Sequence, residues 1–167
     1  MVGRNLRPGV TLLEMLMVVG IVSTLFTVAA PLMLQANRQF ILNRTRVELQ
    51  QEARSVMYVI TRNLRQATSE SVTLSRASNS QPFYSKISFT KQQGTLMVFQ
   101  QEGTTLYQVF GTSKRPLSRN LKYLAFTFPR SDDMGIISVS LTMEKEIFEG
   151  RKKALHMASE KVRIMNE

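Results

Sequence analysis

One carboxylate, Glu14, stands alone in an otherwise uncharged apolar run from Val10 to Leu34. An ionised acid at the centre of a membrane helix costs about 2.5–3.5 kcal/mol on insertion scales, so this residue asks for a cationic partner. Cutting the chain between Gly9 and Val10 would create one, an α-amino group four residues before Glu14. The chemistry suggested by this spacing is done to the chain and then used for pairing; it is not catalysis by the chain. Catalytic inventories are thin elsewhere. His156 is the single histidine and there is no cysteine, which removes a Ser-His-Asp triad with any suggestive spacing, thiol nucleophiles and the usual zinc sites. Asp132-Asp133 could suggest calcium, but two acids in one segment fall short of the oxygen ligands calcium takes, and aspartate is common in turns. There is no phosphate-binding loop and no dinucleotide fingerprint. The expectation is a protein with no enzymatic activity, no cofactor and no metal.

The element that carries Glu14 is long enough to cross a bilayer, since a spanning helix needs about 20 apolar residues. Arg4 and Arg7 precede it, and by the positive-inside rule they place the N-terminus in the cytoplasm and the rest outside; Arg38, Arg44 and Arg46, after the span, pull the other way. Two other readings of this segment stay open. A secretory signal peptide would use Val28-Ala29-Ala30 as its cleavage site, with Pro31 then awkwardly placed after the cut and Glu14 inside its apolar core. A plain single-pass anchor explains the span but neither Glu14 nor its distance from Gly9.

Beyond the span, residues 35–67 hold neither proline nor glycine. Ala53, Val56 or Met57, Ile60, Leu64 and Ala67 recur at helical spacing, opposite Glu52, Arg54, Arg62 and Arg65, which predicts an amphipathic helix with one buried face. A helix from Val10 to this point would be about 85 Å long, with a bend expected at Pro31. The remainder predicts β-strands near 72–74, 86–91, 95–100, 105–110, 121–128 and 136–143, with hairpin turns at Gln93-Gly94 and Glu102-Gly103, a loop around Pro116 and a turn at 130–135; the end, 153–165, is ambiguous, one reading being a loop followed by a closing strand at 161–165. The expected architecture is α+β: a long N-terminal helix, half transmembrane and half amphipathic, packed on an antiparallel sheet. The divisions are 1–9, 10–34, 35–67 and a head of 68–167.

The run Gly9-Val10-Thr11-Leu12-Leu13-Glu14, followed by the apolar helix, resembles the prepilin motif of type IV pilins and type II secretion pseudopilins. In that family a short basic leader ends in glycine, a membrane peptidase cuts after it, and the new N-terminus is methylated. The resemblance therefore implies leader cleavage between Gly9 and Val10, N-methylation at Val10, an assembly role for Glu14 as the fifth mature residue, and a helix kink at Pro31, the twenty-second. The first mature residue is usually phenylalanine in the family and is valine here. The implied partners are the prepilin peptidase, other pilin or pseudopilin subunits and the inner-membrane assembly platform. The segment 53–67, with its end 60–67, an Ile87-Ser88-Phe89 strand, a strand ending in Tyr107 and the 121–128 segment are similar to minor pilins related to the J-type pseudopilin, whose members sit at or near a filament tip. The absence of cysteine departs from the many major pilins that close a C-terminal loop with a disulfide.

The chain carries 22 basic and 12 acidic side chains, a formal charge of +10, or +8 without Arg4 and Arg7. Such a balance suits nucleic acid, an anionic membrane surface or an acidic protein. Arg151-Lys152-Lys153 is the densest basic run and the candidate for nonspecific contact with DNA phosphates; Arg115, Arg119 and Lys122 form a looser group. A solvated surface is the competing reading, and nothing resembles a recognition helix or an RNA-binding strand motif.

Overall fold

The computed structural model describes residues 9–148 and 152–165. One helix, α1, runs Leu12–Leu64, and the chain divides into two units, Met1–Ile41 and Leu42–Glu167.

In the first unit every described residue of α1 up to Phe40 is exposed, apolar ones included: Leu12 is 79% accessible, Phe26 72% and Met33 76%. The sequence explains why this segment is nonetheless regular helix. Leucine and methionine are good helix formers, and the hydroxyls inside the run bond back along the helix. Ser23 Oγ donates to the Val19 carbonyl at 2.7 Å, Thr24 Oγ1 to the Gly20 and Ile21 carbonyls, and Thr27 Oγ1 to the Ser23 carbonyl at 2.9 Å. These bonds remove the polar demand that three hydroxyls would otherwise make on an apolar surrounding. Pro31 lies inside the unbroken helix, where it has no N–H to give the carbonyl four residues earlier.

The second unit begins where the helical pattern acquires a buried side. Leu49, Ala53, Val56, Met57, Ile60 and Leu64 are buried, with Ala53, Ile60 and Leu64 at 0%. They join Ile87, Phe89, Phe99, Leu106, Leu124, Phe126, Ile137, Val139 and Leu141 in one core. Burying each large apolar side chain of this kind contributes about 1.5–3 kcal/mol, which is why this half of α1 is fastened and α+β is the observed class. Polar links add position: Asn120 Nδ2 donates to Glu52 Oε2 at 2.8 Å, and Lys145 Nζ lies 3.3 Å from Glu48 Oε2.

The strands form two antiparallel sheets where a single sheet was expected. β1 (Thr73–Ser75), β2 (Lys86–Thr90), β3 (Leu96–Glu102), β4 (Thr105–Phe110) and β5 (Ser113–Ser118) follow one another in a five-stranded meander. β6 (Leu121–Thr127), β7 (Ile136–Phe148) and β8 (Lys152–Arg163) make a three-stranded sheet. The turns at Gly94, Gly103 and Gly111 have φ of 78°, 58° and 57°, the left-handed region that glycine enters without a Cβ penalty. A register shift between Leu121 and Tyr123 brings both Leu121 and Leu124, an odd number of residues apart, to the buried face.

Three expectations are corrected. The segment around Pro116 is strand β5 and not a loop; Pro116 sits opposite Tyr107 on the outer strand of its sheet, where a missing N–H costs no ladder bond on the solvent side. The last strand occupies Lys152–Arg163 and pairs along nearly the whole of β7, in place of a short strand at 161–165. The helix ends at Leu64, three residues before Ala67, which forms an isolated bridge with Lys91.

Candidate functional site

The start of α1 is built by Thr11. Its carbonyl accepts the first helical bond from Met15 N at 3.1 Å, and its Oγ1 accepts from Glu14 N at 3.3 Å. Thr11 is thus the N-cap and Glu14 the third helical residue, the threonine-x-x-glutamate arrangement of a capping box. A carboxylate in the first turn is also favoured by the partial positive charge of the helix start. The Thr11-x-x-Glu14 spacing is the sequence signal of this cap. The cap changes the position of the acid. Met15–Leu34 is a run of uncharged residues about 30 Å long as helix, the full thickness of a bilayer core. Glu14 therefore stands at the end of the span, where its cost falls below the mid-bilayer figure.

Gly9 precedes the helix, and a Cβ added there would meet nothing within 4 Å. No described neighbour crowds this position. Val10 is exposed. Gly9, Val10 and Glu14 are brought together at the head of α1; Pro31 lies further along the same helix. Arg4, Arg7 and Arg151 lie outside the described residues, as does the Lys152 side chain.

Lys153 is engaged within the sheet. Its Nζ lies 2.5 Å from Glu144 Oε1 and 3.3 Å from Glu146 Oε1, and Lys122 approaches Glu144 Oε2 at 2.6 Å. Hydrogen bonds from Lys122 and then Lys153 hold the Glu144 carboxyl below its ordinary range, and Glu144 with Glu146 raises Lys153. A lysine so committed has less charge to offer a phosphate. Asp132 and Asp133 serve their turn: Asp132 pairs with Arg130 at 2.7 Å, and Asp133 Oδ1 accepts Gly135 N at 2.9 Å. Among the described residues no three His, Asp or Glu side chains converge as a cation site. His156 is half-buried on β8 opposite Met143.

A second feature lies in the head. Arg54, Tyr58 and Arg62 recur at helical spacing along the outer face of α1 and, with Met57, Thr61 and Arg65 just past the helix end, form one wall of a groove of about 740 Å³. Ala158, Ser159, Glu160 and Met165 form the other wall. Lys91 stands beside Arg62; burial first, and then the Arg62 charge, lowers its pKa from the ordinary lysine value.

These features define a class: among the described residues, one helix apolar and long enough to cross a membrane, followed in sequence by an antiparallel β head. No known family model matches the chain, and no curated protein matches it.

Proposed function

We propose that this chain is a structural subunit of the pilin kind, held in a bacterial inner membrane by residues 10–34 with its N-terminus cytoplasmic and its head periplasmic, and assembled through α1 into a type IV pilus or secretion pseudopilus. The observation that carries the reading is the head of α1: a glycine, followed at fixed spacing by one carboxylate and then by an exposed apolar helix. A prepilin peptidase would remove Met1–Gly9 and free an amine at Val10. Glu14 of one subunit would pair with the Val10 amine of the next and set the axial register. The attraction strengthens as the helices leave water and lipid headgroups, although desolvation takes back much of it. The exposed helices form the filament core, and the heads coat it or sit at its tip as a minor component, with the inner-membrane platform as the assembly partner.

The Thr11–Glu14 cap favours a second reading, a plain anchored domain in which Glu14 only starts the helix. The mass of the mature N-terminus from membrane fractions separates the two. A chain beginning at methylated Val10 supports the pilin reading; an intact Met1 in the presence of an active prepilin peptidase supports the plain anchor. A chain beginning at Pro31 removes both and makes the segment a secretory signal.

A further inference from the structure

The two sheets have four outer edges, and three of them are closed. β1 is three residues long. β5 carries Pro116 with Lys114 and Arg115, all exposed. The outer side of β6 is occupied by backbone bonds, Leu121 N to the Thr104 carbonyl and Phe126 N to the Tyr84 carbonyl, both 2.9 Å. Short length, proline, charged side chains and covering backbone are devices by which proteins protect strand edges. β8 is neither short nor interrupted by proline nor covered by backbone, and its exposed Lys153, Lys161 and Arg163 give its edge a basic character. It is the longest outer strand at 12 residues, it pairs along nearly all of β7, and among the described residues its other side makes no strand pairing.

That open edge borders the groove along α1. The groove holds Arg54, Arg62 and Arg65 against one acid, Glu160, and among the described residues these three arginines have no ion pair. On the opposite face of β8, Leu155 and Met157 are exposed, Met157 at 73%. A strand laid along this edge would turn alternate side chains to the two faces. One set would meet the arginines, and the other would extend the apolar row. A second copy of the same edge would bring Lys153, Lys161 and Arg163 against their own kind, which like-charge repulsion disfavours.

We propose that the β8 edge and the arginine groove form a docking site for an extended segment of another polypeptide, with acidic residues alternating with apolar ones, added as a further strand. Backbone bonds supply affinity in this mode and alternate side chains supply specificity. The open backbone edge selects a peptide over nucleic acid, because only a peptide in extended form can continue the ladder. The inference stands on the head alone and does not need the filament reading.

The test titrates the full chain in detergent micelles with a fluorescent peptide of about ten residues, alternating glutamate and valine, and reads anisotropy. Binding is expected, with affinity falling about tenfold or more in the double variant Arg62→Glu/Arg65→Glu and much less in Arg62→Lys/Arg65→Lys. A peptide N-methylated at alternate backbone nitrogens should lose binding by a similar factor, about tenfold; this arm uses the unaltered protein and so survives any folding defect in the variants. The idea is overturned by equal binding of the methylated peptide, by equal binding of a lysine-for-glutamate peptide, by no binding of any peptide, or by duplex DNA that binds more tightly and loses affinity with the same arginines.

Discussion

The two stretches of α1 are the same secondary structure made by different means. Residues 12–40 hold their helix with backbone bonds and a threonine cap, and bury nothing. Residues 42–64 place Leu49, Ala53, Ile60 and Leu64 in a core shared with two sheets. The first needs an apolar surrounding supplied from outside; the second carries its own. Regularity of a helix therefore says little about what stabilises it, and burial says most.

The largest expected effect breaks the second stretch. Ile60→Asp puts an unpaired charge at a fully buried position and should unfold the head outright, since such changes exceed about 4 kcal/mol. Ile60→Ala should cost about 2–5 kcal/mol. Thermal melts followed by near-UV circular dichroism report this, while membrane fractionation should be unmoved. A head that melts normally with aspartate at 60 would mean that the core is misplaced.

Val22→Arg is the mirror experiment. It should weaken insertion by about 2.5–3.5 kcal/mol, visible as chain released from membranes by alkaline extraction, with the head's melt unchanged. Full retention in the membrane would show that the span lies elsewhere.

Thr11→Ala should cost the helix start about 0.5–2 kcal/mol, read as faster hydrogen exchange near residues 12–15 and nowhere in the head. Glu14→Ala sharpens the comparison. If Glu14 is only the third residue of a cap, its loss should resemble Thr11→Ala. If it also pairs with a neighbouring subunit, incorporation into filaments should fail for Glu14→Ala and persist for Thr11→Ala.

The smallest effect is acid sensitivity of the head alone. Lysine partners hold Glu48, Glu102 and Glu144 below the ordinary glutamate value of 4.5. A carboxyl with a depressed folded pKa contributes stability that is complete above its unfolded value and is lost as pH falls through the folded one. The head's melting temperature should thus hold above pH 4.5 and drop below it, and Glu144→Gln should flatten that drop. A melting temperature that fell equally in the variant would assign the effect to other groups.

Much of this was legible from residue spacing. The buried face of α1 followed from Ala53, Ile60 and Leu64, and β2, β3, β4, β6 and β7 followed from alternation such as Ile87 with Phe89. β5 was not legible because Ser113-Lys114-Arg115-Pro116 has no buried face to alternate with; Gly111 was its only local signal. β8 was blurred because four of its inward residues, Ala154, His156, Ala158 and Glu160, are small or polar, and only Val162 among the inward residues is a large buried apolar side chain. The division into two sheets depends on pairings distant in sequence, which local patterns do not encode. At the head of α1 the acid drew attention and its threonine partner did not, because a membrane reading asks what neutralises Glu14 and a helix reading asks what begins the turn.

Pro116 has a consequence for valence. Chains confined to a membrane plane meet one another far more often than free ones, and two open edges per head would let sheets chain from neighbour to neighbour without limit. With β5 closed by Pro116 and β8 left open, strand pairing through these two edges has one terminal. Whatever docks at β8 is bound once, and the ladder stops there. Through these two edges a head can recruit one strand and pass none on.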